Sequence, residues 1–195
     1  MIAAGLILGS YLLGSIPAAY IAGRLLKKID IRKMGDGNVG AANAYREIGP
    51  GAGITVLLAD IAKGAIAILL TQALAAQPIV FLAGLAAVLG HNWPIYLGFK
   101  GGRGEATAIG VLGALLPQPT LILVGVCLFP LWKTRNTMLA GAIIFAPLWA
   151  VAWLTGASGA LISYSIGLPC VVGITHLLKT RHLPKAVRKE GKYMR

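Results

Sequence analysis

The chain has 195 residues, enough for one domain; 57% of them are hydrophobic and only 12% are charged. Its mean hydropathy of +0.77 and its long uncharged runs exclude an ordinary soluble core, which carries about twice that share of charge. A net charge of +12 could suggest nucleic acid, but here the basic residues alternate with apolar spans. They read instead as loops facing the cytoplasm and anionic headgroups, with no nucleic-acid role.

A helix needs about 20 apolar residues to cross the ~30 Å hydrocarbon core. The first candidate, residues 2–23, is too long for a cleavable signal and runs into Arg24, Lys27 and Lys28. Residues 30–50 are too charged and glycine-rich to span. Further spans follow at 51–76 and 79–99, separated near Pro78. Residues 105–132 read either as one kinked span or as two short helices turning at Pro117-Gln-Pro119. The last spans are 138–154 and 160–178. Cys127 and Cys170 lie within apolar stretches and read as packing residues. No His/Cys/carboxylate cluster has metal-ligand spacing, so no metal or other cofactor is expected.

Charge decides the ambiguous region. With two helices there, the fold is an all-α, polytopic membrane protein of seven transmembrane helices. Its N-terminus is outside and its C-terminus cytoplasmic. Every basic residue except Lys63 then falls on the inner side, as the positive-inside rule requires. One kinked span would strand the basic tail outside. The expected organisation is a transmembrane domain over 1–178 and a basic cytoplasmic tail over 179–195.

Two loops on that inner face carry candidate chemistry. The first is Gly35-Asp36-Gly37-Asn38-Val39-Gly40-Ala41-Ala42-Asn43, followed by Arg46. Glycines permit unusual backbone angles and close approach to a ligand. Exposed N–H groups, the amides of Asn38 and Asn43, and a planar guanidinium all suit phosphate. The second is Lys100-Gly101-Gly102-Arg103-Gly104-Glu105-Ala106-Thr107, where two cations sit in a glycine-rich turn entering a helix. It lacks Walker A spacing. Within the apolar spans, Asp60 and Lys63 share a helix face and form a possible structural ion pair. His91 lies near the end of the third span. Ser15, at Gly14-Ser15-Ile16-Pro17, can line a cavity or bond to backbone at a proline kink.

Taken together, these blocks resemble the bacterial acylphosphate:glycerol-3-phosphate acyltransferase family of integral membrane enzymes. The match runs from Gly14-Ser15-Ile16-Pro17 through Asp30-Ile31-Arg32 and the loop ending at Asn43 to Arg46, Asp60 and Lys63-Gly64. It continues with Gly90-His91, Pro94 and Gly98 to Thr107, so it covers roughly the first 115 residues. The resemblance implies acyl transfer from acyl phosphate to the 1-hydroxyl of glycerol 3-phosphate, giving lysophosphatidic acid and phosphate. This step needs neither coenzyme A nor a metal. The setting would be the bacterial cytoplasmic (inner) membrane, with the active site on the cytoplasmic face, membrane lipid as surroundings and a monomeric protein. By position, Lys100, Arg103, Arg46 and Asn38 would be catalytic. Gly37, Gly40, Asn43, Gly101, Gly102, Gly104, Thr107, Ser15 and His91 would bind substrate or phosphate.

The chain departs from the family pattern at several positions. Asp36 stands where Ser is usual, Arg103 where Lys is usual, Glu105 where the family is apolar, and Met138 where Ser is usual. The family's C-terminal His/Arg-x-x-Asn pattern is not recognisable in 179–192, although His182 and Arg188 lie there. Asp36 and Glu105 each place negative charge beside an expected anion site, which weakens phosphate binding unless each pairs with a cation. Two other readings stay open. One is a catalytically silent or altered-acceptor relative that still binds lipid phosphates. The other is a small transporter, which would show internal repeats and a midplane site, whereas this chain shows neither.

Overall fold

The computed structural model describes residues 1–181, and among these the protein is entirely helical, with no strand. The rest of the expected tail, including His182 and Arg188, lies outside the described residues. The helices in order are α1 (Ile2–Gly14), α2 (Ala18–Lys27), α3 (Ala41–Glu47), α4 (Pro50–Gln72) and α5 (Gln77–Asn92). They continue with α6 (Glu105–Leu115), α7 (Pro117–Thr134), α8 (Thr137–Phe145), α9 (Leu148–Leu154) and α10 (Gly159–Thr180). Among the described residues, five stretches are long and apolar enough to cross a membrane: Ile2–Lys27, Pro50–Gln72, Gln77–Leu97, Thr137–Leu154 and Gly159–Thr180. Glu105–Leu115 is a shorter apolar helix.

Proline sets several of the breaks. The first span is helical as far as Lys27 but opens at Ser15–Pro17, because Pro17 donates no N–H to the ladder. Pro147 divides the span expected over 138–154 into α8 and α9 in the same way. Residues 105–134 form two helices that part at Leu116. Pro117 begins α7 and Pro119 lies within its first turn, where a missing N–H costs nothing, so these prolines start a helix rather than form a turn. Helix α3 was not expected inside the polar stretch; its seven residues are too few to show a period.

The chain forms two compact units, one from Met1 to Val111 and one beginning at Leu112. In the first, helices approach through glycines. A Cβ on Gly14 would overlap the Ala87 carbonyl, and one on Gly90 would overlap the Tyr11 carbonyl, so α1 and α5 meet backbone to backbone. Gly64 on α4 lies against the Thr107 carbonyl, and Gly110 on α6 against that of Ile61. Tyr11 closes the α1–α5 contact by donating its hydroxyl to the Trp93 carbonyl at 2.7 Å.

Beneath the first polar loop is a small apolar core of Ala19, Ile31, Val39, Ala44, Ile48 and Val56. Burying each of the larger side chains is worth about 1.5–3 kcal/mol. That anchorage turns a glycine-rich segment into a fixed scaffold.

In the second unit, Asn136 caps α8 by accepting from Leu139 N at 3.1 Å, and Ser158 caps α10 by accepting from Leu161 N at 3.4 Å. Met138 is half-exposed on α8. Cys127 is buried, but Cys170 is exposed on α10 and therefore packs no core.

Candidate active site

The first loop begins with a carboxylate staple. Asp30 caps the turn Ile31–Lys33 and binds Arg32 through both oxygens, at 2.9 and 2.7 Å. The Arg32 guanidinium pulls the Asp30 carboxyl down to about 2. Tyr20 lies beneath both Arg24 and Arg32, 5.2 and 5.0 Å from their guanidinium carbons.

The chain then turns through Gly35 and Gly37, at φ of 55° and 69°, where a side chain would strain the backbone. Asn43 fills the inside of the turn. Its amide nitrogen reaches the carbonyls of Ile31, Met34 and Asn38 at 3.3, 3.1 and 3.0 Å, and its oxygen accepts from Arg46 at 3.1 Å. Asn43 is thus fully engaged in shaping the loop. Asn38, by contrast, makes its bonds through backbone atoms, and its side-chain amide folds over Gly40 at the start of α3.

Asp36 is the centre of the arrangement. One carboxylate oxygen accepts from Asn38 N at 3.2 Å and forms an ion pair with Arg46 at 3.1 Å. The other accepts from Arg103 at 2.9 Å. Its side chain is only 3% exposed. A single carboxylate therefore ties the first loop, α3 and the second loop together by charge-assisted bonds. The negative charge that was unwelcome beside an anion site has two cationic partners, which leave a net positive charge. The Nε of Arg103 is buried without a hydrogen-bond partner among the described residues.

The second loop is held by α5 and the turn that follows it. Phe99 N donates to the Pro94 carbonyl at 2.9 Å and Gly102 N to the His91 carbonyl at 3.0 Å. Gly98, Phe99 and Gly104 all have positive φ, and Phe99 pays for this with strain while 56% exposed. Lys100 is exposed at the loop tip, three residues before Arg103. Gly101 and Gly102 have no room for a Cβ: the first abuts Pro94 and the His91 carbonyl, the second the His91 ring and the Val39 carbonyl. Gly104 lies against Asn92. Glu105 occupies the first turn of α6, where negative charge favours the helix and disfavours a second anion.

Thr107 is fully buried in the first turn of α6, with its carbonyl against Gly64 of α4. Ser15 is also fully buried and donates to the Tyr11 carbonyl at 2.8 Å. With Val39, Lys63, His91 and Gly101 it lines a narrow cleft at the break of the first span. Asp60 and Lys63 pair at 2.8 Å within α4. Among the described residues, no three His, Cys, Asp or Glu side chains group as metal ligands would.

Most of the expected residues fall into two groups. Arg46, Arg103, Asn38, Asn43 and Gly37 gather around Asp36, while Ser15, His91, Gly101, Asp60 and Lys63 line the cleft; Lys100, Gly40, Gly102, Gly104 and Thr107 belong to neither. What the sequence did not reveal was Asp36 as the link, because its partner Arg103 is 67 residues away. Guanidinium groups held this way can orient a phosphate and stabilise charge on a phosphate that leaves.

The chain is similar to known proteins in sequence and in fold. The family model described as glycerol-3-phosphate acyltransferase matches residues 4–188. Glycerol-3-phosphate acyltransferase 4 of Dehalococcoides mccartyi is 52% identical over 176 residues, covering 90% of this chain and 95% of that protein. The glycerol-3-phosphate acyltransferase of Halalkalibacterium halodurans is 42% identical over 181 residues, covering 90% and 87%. Among solved structures, the glycerol 3-phosphate form of PlsY (YgiH), an integral membrane glycerol 3-phosphate acyltransferase, superposes with a TM-score of 0.85. It is 31% identical and covers 96% of this chain and 94% of its own. The lysophosphatidic acid form gives a TM-score of 0.82 at the same identity.

Proposed function

The chain belongs to the glycerol-3-phosphate acyltransferase family, and from that membership we propose how its residues carry out the transfer. It is an acyltransferase that acts on glycerol 3-phosphate, with acyl phosphate as donor. The 1-hydroxyl oxygen attacks the acyl carbonyl carbon and a new ester bond forms. The bond from that carbon to the bridging phosphate oxygen breaks, and the hydroxyl proton ends on phosphate. The products are lysophosphatidic acid and inorganic phosphate.

The single observation behind this assignment of roles is the Asp36 clamp. Arg46 and Arg103, from different loops, stand 3.1 and 2.9 Å from one carboxylate. Held there, they are pre-oriented for phosphate oxygens. Lys100 at the loop tip and the Asn38 amide complete the set. An acyl phosphate already carries a good leaving group, so positioning and charge stabilisation supply the catalysis.

The protein is a multi-pass membrane protein. Its finer topology in this reading is seven spans with the N-terminus outside, α6 and α7 being the short pair. Both loops then face the cytoplasm from the inner membrane, which the one-sided placement of basic residues supports.

The test uses purified protein in lipid with acyl phosphate, glycerol 3-phosphate and a chelator. Phosphate and lysophosphatidic acid are expected in equal amounts. Phosphate release without the lipid product, or product formed only from an acyl thioester, overturns the reading.

A further inference from the structure

We infer that Asp60 is a positioning residue: together with Lys63 it fixes His91, and His91 seats the Gly101–Gly102 segment that carries Arg103 to Asp36. The inference rests on the acyltransferase reading but gives Asp60 and Lys63 more than a structural ion pair, and His91 a part in placing Arg103 rather than in contacting substrate.

Asp60, Lys63 and His91 are all buried in the first unit, Asp60 and Lys63 in a membrane-spanning helix. One oxygen of Asp60 lies 2.8 Å from Lys63 Nζ and 3.5 Å from His91 Nδ1. Lys63 Nζ also donates to the Ile16 carbonyl at 3.0 Å, at the break before α2. A single charged centre thus joins the opening of the first span to α4 and α5. A buried ion pair of this kind is a poor source of stability, since apolar side chains of similar volume often serve as well or better. Its specific feature is what it holds.

On the far side of the imidazole, Nε2 lies directly against Gly102, where a Cβ would overlap it. The His91 carbonyl accepts from Gly102 N at 3.0 Å, so the same residue grips Gly102 through ring and backbone. Val39, from the first loop, closes the other side of Gly102 with its carbonyl. Arg103 follows at once and reaches Asp36. A rotation of the His91 ring would release Gly102, and with it the angle at which Arg103 meets the other loop. Errors of about 1 Å in positioning a reacting group cost rate out of proportion to their effect on stability.

The experiment separates positioning from folding with three variants: D60L/K63M, which removes both buried charges together; H91Q; and the triple combination. Each is assayed for thermal unfolding in lipid, for kcat and KM with acyl phosphate and glycerol 3-phosphate, and for amide hydrogen exchange over 99–104. D60L/K63M is expected to unfold near the parent temperature, yet lose at least tenfold in kcat/KM. H91Q is expected to lose a similar factor and the triple variant no more than either. All three are expected to exchange the Gly102 amide at least tenfold faster. If D60L/K63M keeps both its melting temperature and its kcat/KM, the inference is wrong. If that variant fails to fold, H91Q decides alone: unchanged exchange at Gly102 overturns the inference, and faster exchange sustains it. Because exchange is read without turnover, a parent protein lacking the proposed activity would refute the acyltransferase reading and leave this inference standing or falling on its own.

Discussion

Asp36 and Asp60 each bring together two basic side chains, but Asp36 works among glycine-rich loops and Asp60 inside membrane-spanning α4. Around Asp36 the partners are two guanidinium groups from different segments of the chain. Around Asp60 they are an amine and an imidazole, enclosed by helices that touch through glycine. The loop cluster carries net positive charge, two guanidinium groups on one carboxylate. The helix cluster is neutral when His91 is neutral, and it is spent on geometry. In the proposed reading the same chemical pairing serves binding among the loops and positioning inside the helices.

Removing one partner should expose the difference. Asp60→Asn leaves Lys63 buried without its counter-charge, at a cost of about 3–5 kcal/mol. A large fall in unfolding temperature is expected, readable by thermal denaturation in lipid; a shift no greater than that of an exposed-site variant contradicts this view of the cluster. Arg103→Ala should instead leave unfolding close to parent and lower kcat/KM by roughly 100- to 1,000-fold, the scale for one preorganised electrostatic donor. Steady-state kinetics check that, and comparable loss of stability would make Arg103 a structural residue.

Asp36→Ser sharpens the comparison further. It restores the small hydroxyl residue expected from the family pattern and removes the bridge between Arg46 and Arg103. The expected result is about a tenfold drop in kcat/KM, or about 1.4 kcal/mol, with little change in unfolding temperature. Unchanged kinetics would mean that the arginines are held in place without the carboxylate.

The smallest effect belongs to Asp30. The bond to Arg32 holds its carboxyl at about 2 in the folded protein, below the usual carboxylate range. A depressed carboxylate contributes stability that is fully present above the unfolded pKa of about 3.9 and is lost as pH falls through the folded value. Loop stability should therefore decline between roughly pH 4 and pH 2. Asp30→Asn should flatten that part of the profile, as followed by hydrogen exchange over 30–40.

Much of this was legible in sequence where the signal is local. Hydropathy placed five of the seven expected spans, because about 20 apolar residues must run together to cross a bilayer. Glycine and asparagine marked the first loop, and its turn does use Gly35, Gly37 and Asn43. The partnerships were not legible. Lys63 reaches Ile16 across 47 residues and Arg103 reaches Asp36 across 67. A single sequence shows the charge of Asp36 but not the two arginines that answer it. It also shows Gly101 and Gly102 without the His91 contacts that demand them. Helix α3 escaped notice because seven residues complete only two turns.

The central claim is that Arg46 and Arg103, drawn together at Asp36, grip the phosphate of the acceptor. Calorimetric titration of glycerol 3-phosphate into the purified parent, Arg46→Ala and Arg103→Ala proteins at one fixed ionic strength tests it without turnover. Saturable binding by the parent, weakened at least tenfold in each folded variant, is the predicted result. Parent-like affinity in both variants would contradict it.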